Sequence, residues 1–560
     1  MHWNRRARPV LVGLAIVVSS ASVAASASKS GAATATKQAG SSSITLVGEP
    51  FGPFVRNYNP FSTSNAAYGE GTTSMVYEPL MQYNILRAGQ IYPWLATSWA
   101  WSNGGKTLTL QIRKGVQWSD GKPFSAADVA FTFQLLKKYP ALNVTGVDFA
   151  SVSAPSPSTA VLTFSKAAYA QLFVVSQVLI VPQHLWSSVA NPVTYADPDP
   201  VGTGPYLLQS YSAQQYTLAK NPNYWQKGLP KIDTVQVVDY VSNTSADLAL
   251  EQGKLDWASL YIPHYQQLFV AKDPAHYHVW LPPTGNFFLC ANTGRAPFDS
   301  VTVRQALSKA IDRDTVARDG EGGFYSSATS PTGLVLPNWA KYLDSKFASL
   351  KTSYDKAGVK TLLLKAGFKV GSNGMFVQPN GKPFKVAVEA PTPYTDFMTD
   401  TQLIVNEMRA AGIDASVKGV SLSAWTNDYT VGTYDVTFCG QWTTSGPYDL
   451  FASLLDSKRS APVGKSAVGD FERWMDKATD ASLAAYAGTN DAAVQLKAMH
   501  DIEATMVKDV PVIPLFYANA FGEYTTTHAV GWPTASNPYE TPSASVPWDE
   551  VVVLHLRPAP

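Results

Sequence analysis

The segment 77–122 constrains the fold more than any other part of the chain. Leu108, Leu110 and Ile112 alternate with Thr107, Thr109, Gln111 and Arg113, the period of a half-buried strand. Asn103-Gly104-Gly105 before it suits a turn with positive φ. Asp120-Gly121 after it marks a second turn. Ser125-Ala126-Ala127-Asp128 reads as a capping box opening a helix. Ala126, Val129, Ala130 and Phe133 give that helix an apolar stripe. A hairpin therefore feeds a helix. The segment holds no catalytic constellation and speaks of architecture.

At 560 residues the chain exceeds one ordinary core and is expected to form two lobes or more. Its 43 basic and 42 acidic residues leave a net charge of +1, and no long basic run follows the N-terminus, which argues against a nucleic-acid partner. Arg5, Arg6 and Arg8 precede the apolar run 10–18, and Ala25-Ser26-Ala27 follows. Residues 1–27 therefore read as a secretory signal peptide, and 28–43, rich in Ala, Ser, Thr and Gly, as a flexible linker. No cysteine lies near the signal, so the exported chain is not expected to be a lipoprotein. Cys290 and Cys439 sit in apolar, strand-like runs and read first as two buried free thiols, with a disulfide, open to an exported chain, as the alternative.

The first strand is expected at 44–47, followed by an aromatic, turn-rich stretch with Tyr58 and Asn59 at its centre. Further strands and hairpins are expected through residue 240. Pro282-Pro283-Thr284-Gly285 looks like a boundary. Beyond it, strand 385–389, helix 399–411 with Gly412 after it, and strand 414–420 alternate as in an α/β lobe. Strand 434–440 leads into residues 441–449, helices fill 466–509, and strand 511–517 returns toward the first lobe.

Catalytic signals are lacking. Gly464-Lys465-Ser466 has Arg459 where a P-loop needs Gly, and neither H-E-x-x-H nor G-x-S-x-G occurs. His276 and His278 read as polar positions on a strand. No catalytic residue, metal site or cofactor is expected. A binding cleft needs aromatic faces for stacking and short polar groups for hydrogen bonds. The loops around Tyr58, around 257–261 and around 442–448 have that composition.

Several motifs then converge. Tyr77-Glu78-Pro79-Leu80, Pro93-Trp94-Leu95-Ala96, Gly202-Thr203-Gly204-Pro205-Tyr206, Asn221-Pro222-Asn223-Tyr224-Trp225, the helix 303–313 and Pro511-Val512-Ile513-Pro514-Leu515 resemble, in order, the signature of the family 5 extracytoplasmic solute-binding proteins. These are receptors of ABC importers and include dipeptide, oligopeptide and nickel receptors. The resemblance covers about 44–517 and implies an α/β, two-lobed periplasmic-binding-protein fold. It implies a first lobe of 44–284 and 511–560, with an extra domain at about 71–200, and a second lobe of 285–510. Two crossings, near 284–286 and 510–516, would join them. It also implies a monomeric receptor working with a membrane permease, in a periplasm or on the outer face of the cytoplasmic membrane.

In peptide-binding members an aspartate in the loop after the Gly-Trp strand end grips the peptide ammonium. Here that loop reads Trp442-Thr443-Thr444-Ser445-Gly446-Pro447-Tyr448-Asp449, with Thr or Ser at the anchoring place. The loop instead resembles the Gly-Pro-aromatic loop of the branch that binds β-linked oligosaccharides such as cellobiose, as do 256–263 and 328–334. The expected cargo is a β-linked oligosaccharide, with a di- or oligopeptide as the alternative and a secreted glycoside-active enzyme a weaker third. The expected ligand-binding residues are Tyr58, Asn59, Trp257, Tyr261, Trp442, Ser445, Tyr448 and Asp449.

Overall fold

In the computed structural model, residues 42–560 are described apart from 49–52, 63–66, 68–69, 88–89, 241, 263, 393, 442–444 and 546–548. The expected leader 1–27 lies outside the described residues, and so does the expected linker except Ser42 and Ser43. Among the described residues the larger sheets have seven, six and four strands. The fold is the mixed α/β, two-lobed one, with one large sheet in each lobe.

The four-stranded sheet contains the hairpin read from the sequence. Ala96–Ser102 pairs antiparallel with Thr107–Ile112, which pairs in turn with Thr159–Thr163. Asn103, Gly104 and Gly105 all have positive φ, as the turn requires. Ser125 and Asp128 form the reciprocal capping box of the helix Ala126–Lys138. The stretch 167–187, which reads in the sequence as helix broken at Pro182, holds the short helical pieces Tyr169–Gln171 and Leu172–Ser176 before that proline and Gln183–Trp186 after it.

The seven-stranded sheet of the first lobe has Ser43–Val47 at its centre, parallel to both Thr234–Val238 and Trp257–Ala258. The Gly202-Thr203-Gly204 motif has a steric cause. A Cβ on Gly202 would lie 1.7 Å from the Val76 carbonyl oxygen, so only glycine lets the two backbones meet. Its partner motifs converge on one buried acid. Glu78 accepts hydrogen bonds from Trp225 Nε1 (2.8 Å), Trp94 Nε1 (2.8 Å) and Tyr224 OH (3.1 Å). Beside it stands Glu550, on the helix Asp549–His555 near the C-terminus, accepting from Gln82 Nε2 at 2.7 Å. Both carboxyls are fully enclosed. Burial raises both, the Glu550 carboxyl most strongly because Glu78 stands beside it. One proton shared between two carboxyls avoids burying two charges.

The six-stranded sheet runs Ser326–Ser327, Ile513–Asn519, Pro283–Ala291, Val436–Gln441, Lys385–Pro391, Asp414–Val420. Phe287, Leu289 and Ala291 face a cluster supplied by the helices Val301–Lys309, Lys356–Lys365 and Thr395–Ala410. Phe288 and Cys290 face the helices Pro447–Leu455, Lys477–Ala487 and Ala492–Asp509. This is a sheet covered on both sides. The helix motif at 303–313 owes its arginines to backbone capping. Buried Arg304 donates to the carbonyls of Asp509, Val510, Phe298 and Asp299, and Arg313 to those of Pro514 and Ser308.

Two expectations are corrected. Cys290 and Cys439 are not free thiols but form a disulfide with a Cα–Cα distance of 5.9 Å. They lie on neighbouring antiparallel strands, where Cys439 is paired with Phe288 and Cys290 with Thr437. That register brings both side chains to one face within bridging range. The strand Ile513–Asn519 does not return to the first lobe. It pairs with Pro283–Ala291 inside the second.

Candidate functional site: the lobe junction

The chain crosses between the two large sheets at 280–282 and at 520–522. The outgoing crossing links Tyr277–Val279 of the first sheet to Pro283–Ala291 of the second, and the return links Ile513–Asn519 to Glu523–Thr525. The crossings are bonded to each other: Trp280 N donates to Gly522 O (3.0 Å) and Ala520 N to Pro282 O (2.9 Å). They lie beyond the expected 284–286 and 510–516, because the sheet pairing of Pro283 with Asn519 continues almost to the switch.

Beside the crossings, Phe324 of the second lobe is fully buried in a cluster of first-lobe residues. Its ring centroid lies 4.8 Å from that of Tyr261, 5.3 Å from Tyr265 and 5.1 Å from Phe521. Asn519 Nδ2 donates to the Phe324 carbonyl. Just before it, Glu321 faces Asp400 of the helix Thr395–Ala410. Both are fully buried; they hydrogen-bond to each other, and no other described residue pairs with their carboxyl oxygens. Burial pushes Asp400 up to about 8 and Glu321 well above the carboxylate range. The Tyr261 hydroxyl is raised by burial and then by Glu321, Asp396 and Asp400, so a first-lobe phenol feels second-lobe acids.

On the opposite face of the second sheet, Tyr83, Tyr448 and Tyr486 come within electrostatic reach of Asp449. Tyr448 and Tyr486 stack at 4.7 Å with rings 8° from parallel. Tyr342 acts on Tyr486. From the first lobe comes Tyr83, edge-on to Phe173 at 4.8 Å, its hydroxyl raised by burial and then by Asp449. The turn Tyr169–Gln171 of the first lobe packs against the helix Lys477–Ala487 of the second, so the lobes meet here too. Asp449 is half-buried in the first turn of its helix. Burial pushes its carboxyl up to about 7, against the opposing pull of Arg459.

The residues expected to bind ligand divide by position. Tyr58 lies in the first-lobe core, edge-on to Tyr216 at 5.8 Å. Asn59 is buried and ties its loop to the carbonyls of Pro192 and Tyr195. Trp257 is fully enclosed, with Nε1 donating to Pro542 O at 2.6 Å. Tyr261, Ser445, Tyr448 and Asp449 are half-buried; Tyr261, Tyr448 and Asp449 stand at the junction and Ser445 just before their helix. Trp442 lies outside the described residues. Tyr83, Tyr342 and Tyr486 were missed. Each is a lone tyrosine in a separate segment, and only tertiary packing unites them. Among the described residues no group of three or more His, Cys, Asp or Glu could hold a metal ion, and no helix is long and apolar enough to cross a membrane.

Residues 90–462 match the family model described as bacterial extracellular solute-binding proteins, family 5 middle. A nickel-binding periplasmic protein of Escherichia coli strain K12 is 27% identical over 502 residues, covering 85% of this chain and 89% of that one. The glutathione-binding protein GsiB of Salmonella typhi is 26% identical over 435 residues, covering 75% and 79%. The crystal structure of a periplasmic oligopeptide-binding protein of an ABC transporter from Thermotoga maritima superposes with a TM-score of 0.83 at 26% identity, covering 92% of this chain and 99% of that one. Its mannohexaose-bound structure superposes with a TM-score of 0.75 at 25% identity, covering 93% and 99%.

Proposed function

The chain belongs to the bacterial extracellular solute-binding proteins of family 5, and from that premise we propose that it is the exported receptor of an ABC importer, closing its lobes on a β-linked oligosaccharide and delivering it to a membrane permease. On this reading the lobes divide at the crossings 280–282 and 520–522, and residues 1–27 are the export signal. The receptor is a monomer, and it binds its cargo without turning it over.

The observation that carries the cargo is the stack of Tyr448 and Tyr486 beside Asp449, with Tyr342 next to Tyr486 and Tyr83 reaching in from the first lobe. A tyrosine offers a flat apolar face and a neutral hydroxyl, and such groups match the face and rim of a sugar. The mannohexaose held by the Thermotoga relative supports the same class. A peptide is the second reading, and Asp449 itself favours it: a carboxyl that accepts no hydrogen bond from a described residue would suit an ammonium.

A thermal-shift panel of cello-, xylo- and manno-oligosaccharides against di- to pentapeptides tests the cargo. Ligand at a hundred times its Kd adds about 2.7 kcal/mol of stability. Shifts with sugars are expected, and shifts with peptides alone would sink the oligosaccharide reading. In the same panel Tyr486→Ala should weaken sugar binding about tenfold, the loss of one stacking face worth about 1.4 kcal/mol. Unchanged sugar affinity would return that ring to a packing role. Release of reducing ends over hours would overturn the receptor reading.

A further inference from the structure

Between the π-helical turn Val316–Gly320 and the strand Ser326–Ser327 the chain leaves the second lobe and comes back. Gly322 and Gly323 both have positive φ, which lets it reverse there. Two neighbouring side chains then point into different lobes. Phe324 is fully buried among Leu250, Leu260, Ile262 and Phe269 of the first lobe. Tyr325 is buried in the second-lobe core, stacked on Phe516 with centroids 5.1 Å apart and rings 11° from parallel. Phe521, on the return crossing, lies 5.1 Å from Phe324 and 5.9 Å from Tyr325. On the far side of Phe324 stands Tyr261, at 4.8 Å. An unbroken file of rings thus runs from the second-lobe core, past the crossing, into the first lobe.

The backbone of this loop is fastened to the second lobe. Asn519 Nδ2 donates to the Phe324 carbonyl, and Ser326 pairs with Tyr517. A ring held by one lobe is therefore seated in the other. Withdrawing it would expose a whole phenyl ring to water and leave an empty seat behind. The crossings fix where the lobes join, and a ring seated beside them limits how the lobes face each other.

We propose that Phe324 is a positioning residue for cargo capture: seated in the first lobe, it holds the two lobes near the arrangement that takes cargo, without touching the cargo itself. The proposal rests on the receptor reading and not on the class of cargo. Its neighbour Tyr261 is half-buried and carries that setting toward the junction surface. Without the seated ring the lobes sample further arrangements, and the apparent affinity falls by the fraction that stays competent.

The test places spin labels on the full mature chain at Lys231→Cys and Lys360→Cys, both exposed and one in each lobe. The native cysteines are bridged and take no label. Without ligand, the otherwise wild-type chain should give one narrow interlobe distance, Phe324→Ala should broaden it, and Phe324→Leu, which partly refills the seat, should broaden it less. Phe269→Ala is the control, because it removes an equally buried ring from the same cluster, one stacked on Tyr277 at 4.7 Å within the first lobe. It should leave the distance narrow. Calorimetric affinity for the member of the sugar and peptide panel with the largest thermal shift should fall about tenfold in Phe324→Ala if about a tenth of the arrangements stay competent, fall less in Phe324→Leu, and hold in Phe269→Ala. A distance as narrow in Phe324→Ala as in wild type overturns the assignment, as does equal broadening in Phe269→Ala. Should Phe324→Ala fail to fold, an unbroadened distance in Phe324→Leu overturns it. Broadening with no loss of affinity overturns this proposal alone, whereas a panel in which nothing binds overturns the receptor reading with it.

Discussion

Two of the molecule's pairs of buried carboxyls are built differently. Glu78 and Glu550, inside the first lobe, are ringed by indole, phenol and amide donors. Glu321 and Asp400, beside the crossings, are as deeply enclosed, yet they bond only to each other and no other described residue donates to them. The first pair is a finished hydrogen-bond network and belongs to the architecture. The second keeps its protons because nothing else satisfies it, and it lies where Tyr261 of the opposite lobe approaches. The signature motifs therefore report the scaffold, while the unsatisfied acids sit where the lobes meet.

The contrast can be broken most severely at Glu78. Glu78→Ala strands the indoles of Trp94 and Trp225 and the phenol of Tyr224 without their acceptor, and should cost about 3–5 kcal/mol, read as a lower urea midpoint. A loss below about 1 kcal/mol would show that the network is not structural. Gly320→Ala probes the second pair: an added Cβ would lie 1.8 Å from Asp400 Oδ1. Displacing that carboxyl should cost about 1–3 kcal/mol, and an unchanged unfolding midpoint would mean that the acid is free to move.

The third effect is read as a slope with pH. Asp400 is raised from 3.8 unfolded to about 8 folded, so the folded state binds its proton more tightly. Stability from this group is full below about pH 4 and is lost as pH rises toward 8. Asp400→Asn should flatten that decline across pH 5–8 in thermal unfolding. An equal slope in variant and wild type would place the pH sensitivity elsewhere.

Much of the scaffold was legible because its signals are local. The turn at Asn103–Gly105, the capping box at Ser125 and the glycine after the helix Thr395–Ala410 each depend on a few neighbouring residues. What joined distant segments was not. Neither the pairing of Glu78 with Glu550 nor the bridge between Cys290 and Cys439 has a local signature, since each depends on strand order. Trp257 has the composition of a cleft residue and the position of a core one, because a two-residue strand is too short to reveal its face by alternation. Around Asp449 the loop composition drew attention to Tyr448 and Asp449, while Tyr83, Tyr342 and Tyr486 are brought in by folding alone.

The paired crossings at 280–282 and 520–522 have a mechanical consequence. Two antiparallel strands bonded to each other resist sliding and splaying, because either motion breaks their mutual bonds. Twisting and flexing about the ribbon leave those bonds intact. Any relative motion of the two sheets that keeps those bonds is therefore a flexing or a twisting about this one ribbon.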